Sequence, residues 1–103
     1  MSRFLGLACL ATFALALPAA AEITYGGGDG STVETAVIIL GATGESDGEP
    51  AEYQWIDKTY PSAVVEGQAL LDDKGRVYDL LTLTVDGKSV EVYFDITEYF
   101  GKF

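Results

Sequence analysis

The side chains of this chain that can do chemistry are carboxylates. Its 103 residues include 16 Asp and Glu, six Lys and Arg, and no His. Without imidazole there is no Ser-His-Asp or Cys-His catalysis, no imidazole metal ligand and no haem axial histidine. The single cysteine, Cys9, sits in an apolar N-terminal run, and the single methionine is Met1. Two chemistries remain: acid–base work by paired carboxyl groups and coordination of a hard cation by oxygen.

The strand register decides which carboxyl groups can meet. Asp86-Gly87 is a two-residue hairpin signal, and it pairs Val85 with Lys88. One face then carries Val77, Asp79, Leu81, Leu83 and Val85 opposite Ile96, Phe94, Val92, Val90 and Lys88. That face is the core. Asp79 therefore lies on the core face, where a carboxyl group needs a partner or a raised pKa; the competing reading caps it at a sheet end with backbone amides, a Lys or a Tyr. Asp95 pairs with Tyr78 and falls on the opposite face. A hydrolase using Asp79 and Asp95 needs two carboxyls about 5 or 6.5–9.5 Å apart across a cleft, and opposite faces argue against it.

Two further patterns fail on spacing. Glu45, Asp47, Glu49 and Glu52 form an acidic run that suggests weak calcium binding. A calcium loop needs Gly sixth and Glu twelfth, and setting Gly48 sixth puts Thr43 first and Gln54 twelfth. Gly26-Gly27-Gly28-Asp29-Gly30 lacks the Gly-Lys-Ser/Thr that a phosphate-binding loop requires. No cofactor is implied.

The elements that position these groups follow from pattern. Residues 22–35 read as a glycine-rich lead-in, and 36–103 as a single domain. Ala36-Val37-Ile38-Ile39-Leu40 is a β-branched run ending at Gly41 and reads as a strand buried on both faces or a short buried segment of some other kind; the place of such a strand in the sheet the sequence leaves open. A helix is expected over about 49–60, with Pro50 at its first position, Tyr53, Ile56 and Tyr60 as its apolar stripe, and Pro61 as its stop. The preceding hairpin turns at Asp73-Lys74-Gly75. A two-residue turn would put Asp72, Gln68 and Glu66 on the core face; a three-residue turn puts Leu71, Ala69, Gly67 and Val65 there and is preferred, because a one-residue slip reverses every side chain. The fold class is α+β: one helix packed on a mainly antiparallel sheet of about four strands, in the order strand-helix-strand-strand-strand.

With that register, Leu70, Tyr78, Leu80, Tyr93 and Asp95 cluster on the outer sheet face. Tyrosines beside aliphatics are common on recognition surfaces, so these five are candidate partner-binding residues. The alternative is that the lead-in or the aromatic tail (Tyr99, Phe100, Phe103) folds over them.

The N-terminus speaks to destination. Arg3, the apolar run Phe4–Leu17, Pro18 and Ala19-Ala20-Ala21 have the form of a cleavable export signal over residues 1–21. The run is about 14 residues, short of the roughly 20 that span a bilayer. All 16 acidic residues lie beyond it with five of the six basic ones, a net charge of −11. Such a surface repels nucleic acid and anionic lipid and favours a basic partner. The expected setting is periplasmic or secreted, with no membrane attachment after cleavage.

Gly28-Asp29-Gly30-Ser31, Ala51-Glu52-Tyr53-Gln54-Trp55, Tyr60-Pro61, Tyr78-Asp79, Tyr93-Phe94-Asp95-Ile96 and Phe100-Gly101-Lys102 together resemble a family of small exported bacterial proteins of unknown function. The resemblance spans nearly all of residues 22–103. It implies a bacterial, exported setting and carries no activity with it. The expected function is a non-enzymatic, acidic, exported binding domain for a basic protein partner; the alternatives are the carboxylate-dependent hydrolase and the weak calcium binder.

Overall fold

The computed structural model describes residues 22–103, so the expected export segment, residues 1–21 with Cys9, lies outside the described residues. Five strands and one helix follow in the order β1 (Thr24–Gly27), β2 (Val37–Leu40), α1 (Glu45–Thr59), β3 (Val64–Asp73), β4 (Arg76–Val85) and β5 (Lys88–Asp95). They form one sheet in the order β1-β2-β5-β4-β3. The fold is α+β, with five strands where four were expected. The fifth is β1, which turns the glycine-rich lead-in into an edge strand paired antiparallel with β2. β2 lies parallel to β5, joined through Val37↔Phe94 and Ile38↔Asp95.

β4 and β5 pair in the expected register, from Val85↔Lys88 to Tyr78↔Asp95. The β3–β4 hairpin does not. Its turn has two residues, Lys74 and Gly75, both with positive φ (53° and 80°), and it pairs Asp73 with Arg76. That turn twists with the strands, and its geometry prevails over the apolar pattern. Gln68 and Leu70 then join the face of Asp79 and Leu81, while Ala69 and Leu71 go to the outer face. The register shifts between Val65 and Gly67. This bulge returns Val65 to a place opposite Leu83, repairing the apolar pattern with one extra residue.

α1 covers the face built from Val37, Ile39, Leu81, Leu83, Val92, Phe94 and Ile96, all buried. It begins four residues earlier than expected. Asp47 reaches back to accept from the N–H groups of Thr43 and Gly44 at 3.1 and 3.0 Å, which caps the first turn. Pro50 therefore falls inside the helix, where it forgoes one backbone hydrogen bond. The longer helix also rotates its buried stripe. Gly48, Ala51, Glu52 and Ile56 face the sheet, whereas Tyr53 and Tyr60 are half-buried at its flank. Trp55 packs edge-on against Phe94, ring centroids 5.5 Å apart. Among the described residues no helix is long and apolar enough to cross a membrane.

The aromatic tail closes the helix start. Glu45 N–H donates to the Lys102 carbonyl at 2.7 Å, and Gly101 N–H donates to Glu45 Oε2 at 2.9 Å. This docks Tyr99 against the first turns of α1, fully buried. Gly48 is the residue that permits it: a Cβ there would stand 2.5 Å from the Tyr99 ring.

Candidate functional site

Under α1 the structure buries two carboxyl groups side by side. Glu52 comes from the helix stripe and has no exposed surface; Asp79 comes from β4, opposite Phe94, and is 6% exposed. The Tyr99 hydroxyl donates to Glu52 Oε2. Gln68 Nε2 donates to Asp79 Oδ2 at 2.9 Å. Tyr53 hydroxyl reaches Gln68 Oε1 at 3.4 Å, so the amide is held from both ends.

Burial pushes the Glu52 carboxyl up to about 9, and the Asp79 carboxyl beside it adds to the push against the Tyr99 hydrogen bond, which opposes it. Glu52 is therefore protonated at neutral pH. Among the described residues its Oε1 has no donor within reach. A proton on Oε1 removes that deficit, because a protonated carboxyl is itself a donor and Asp79 is an acceptor beside it. Burial likewise raises the Tyr99 hydroxyl far above its ordinary range, so it stays a donor.

A shallow depression of about 350 Å³ opens over Asp79, lined by Glu45, Glu49, Gln68, Leu70, Asp79, Ile96 and Phe100. Among its described lining residues three are carboxyls and none is basic. Leu70 is 57% and Phe100 41% exposed at its rim. Glu52 lies beneath and does not line it. A general acid must come within hydrogen-bond reach of its substrate; Glu52 has no surface to offer, so the proton it holds serves the interior.

The outer face is organised differently. Tyr78, Leu80, Tyr93 and Asp95 lie there, as the β4–β5 pairing requires, but Leu70 does not: its partner is Asp79, which places it on the helix side. Tyr78 is only 7% exposed. Val33, Ala36 and Ile38 line a second depression of about 270 Å³ with it, and the Gly30 carbonyl accepts from Tyr93 N–H at 2.7 Å, laying the 28–36 loop along β5. Asp95 is 4% exposed and forms the one ion pair among the described residues, with Arg76 Nε 2.6 Å from its Oδ2. Burial pushes Asp95 up, but its hydrogen bonds from Arg76 and Thr97 outweigh that and hold it below the usual carboxylate range. Asp79 and Asp95 thus belong to opposite faces and share no site. Among the described residues, no three acidic side chains converge as a metal centre would need.

No family model, no curated protein and no solved structure matches this chain, so its chemistry rests on its own geometry. The residues that pattern reading missed are Glu52, Gln68 and Tyr99. Glu52 read only as a member of the acidic run 45–52 because the helix was begun too late; started at Glu45, the buried stripe 48-51-52-56 contains it. Gln68 followed the rejected turn.

Proposed function

We propose that this protein is an exported, non-enzymatic binding domain that takes a basic segment of a partner protein into the acidic depression over Asp79. The observation that carries the reading is the composition of that depression: Glu45, Glu49 and Asp79 beside exposed Leu70 and Phe100, with no Lys or Arg among them. A lysine or arginine side chain suits such a place, since its methylene stem lies on apolar surface while its charge meets carboxylate. The charge of the whole domain works in the same direction, with 16 acidic residues against five basic ones beyond residue 21. The excess speeds encounter with a basic partner and repels nucleic acid. The export-signal form of residues 1–21 supports a periplasmic or secreted setting.

Titration with a lysine-rich peptide and a glutamate-rich control tests this. The lysine peptide should bind, and Glu49→Gln and Leu70→Ala should each weaken it several-fold. Equal affinity for both peptides, or binding indifferent to both substitutions, would refute the reading.

A further inference from the structure

Among the described residues β3 is an edge strand, with β4 as its one strand neighbour. All of its ten residues except Leu71 are exposed. An exposed edge offers unpaired N–H and C=O groups to another strand. Natural edges are blunted by lysines, prolines or bulges. β3 has no Lys or Pro, and its bulge lies at one end, between Val65 and Gly67, so Gly67–Asp73 runs as a regular ladder.

The turn shows which groups are free. A two-residue hairpin makes its flanking pair, here Asp73↔Arg76, a hydrogen-bonded one, and such pairs alternate along an antiparallel ladder. Asp73, Leu71, Ala69 and Gly67 therefore spend their N–H and C=O on β4. Gln68, Leu70 and Asp72 turn theirs outward. Gln68 and Leu70 also carry side chains into the depression over Asp79. A strand added to β3 would place alternate side chains beside theirs, about 5 Å away, within reach of Glu49. Its other side chains would stand beside Ala69 and Leu71 on the outer face.

We infer that the partner segment binds as an added antiparallel strand on β3, with basic residues at every second position toward the helix side and apolar residues between them. This deepens the proposed function and rests on it. Charge selects the occupant. β3 carries Glu66, Asp72 and Asp73 with no basic residue, so a second copy would set acid against acid, with a net −11 on residues 22–103 of each chain, whereas a basic strand meets complementary charge.

Backbone hydrogen exchange of the purified protein tests it, using a short peptide that alternates lysine with valine and a scramble of the same composition. The alternating peptide should slow exchange at Gln68, Leu70 and Asp72 about tenfold or more, leave Ala69 and Leu71 unchanged, and bind about tenfold tighter than the scramble. Leu70→Pro removes one outward N–H and no bond to β4, and should abolish the slowing. Leu70→Ala should keep it at reduced affinity. If both peptides bind equally with no slowing at these amides, strand addition is wrong and basic recognition stands. If neither binds, both readings fail. Slowing that appears without peptide and grows with protein concentration would give the edge to a second copy and overturn the proposal.

Discussion

At the scale of single residues, the buried Glu52 carboxyl governs how the domain responds to pH. Unfolded, it titrates near the ordinary 4.5; folded, it is pushed up to about 9. Between those values the folded chain holds a proton that the unfolded chain has released. Raising the pH therefore favours unfolding, by up to about 1.4 kcal/mol per pH unit for one proton. The contribution is complete below about pH 4.5 and is lost as pH rises through about 9. The melting temperature should fall over that interval. Glu52→Gln keeps an acceptor for Tyr99 and a donor for Asp79 without the titration, so its melting temperature should be nearly flat there and above wild type at the alkaline end. A wild-type curve as flat as the variant's would mean that Glu52 is ionised in the folded chain.

At the scale of elements, two substitutions set propensity against packing. Alanine is a better helix former than glycine by about 1 kcal/mol, so Gly48→Ala would stabilise an isolated helix. Here the new methyl meets the Tyr99 ring, and Tyr99 is fully buried with nowhere to move. Overpacking should prevail, with a net loss of about 1–3 kcal/mol in urea unfolding. Lys74 is the opposite case. It occupies a left-handed position in a two-residue turn, φ 53°, in open surroundings. Lys74→Asn suits that turn and should gain about 0.5–1 kcal/mol. The same elements show where sequence reading holds. The β4–β5 register was legible because Asp86-Gly87 and strict alternation agree. The β3 register was not, because a polar pair, Gln68 with Asp79, occupies positions that a hydrophobicity pattern assigns to apolar residues. The bulge that reconciles the two leaves no mark in composition. Glu52 was hidden for a related reason. It sits on the buried helix face only if the helix starts at Glu45, and that start depends on Asp47 capping backward past Gly44. Asp79 was legible, since the hairpin alone fixes its face.

At the scale of the whole molecule, the domain has two unlike faces. The outer face is largely self-satisfied: the 28–36 loop lies along it, Tyr78 is buried, and Asp95 is held by Arg76 and Thr97. The helix side ends in a depression where carboxyl groups and apolar side chains meet beside an open strand edge. Net charge alone would attract any basic molecule diffusely, with an affinity that salt erases. A built site differs in being local. Amide chemical-shift mapping during titration with a lysine-rich peptide distinguishes the two most directly. Perturbations should gather on Glu45, Glu49, Gln68, Leu70, Asp79 and Phe100 and be reduced by Glu49→Gln. Shifts centred on Leu80 and Tyr93, or spread evenly over the acidic surface, would contradict a site over Asp79.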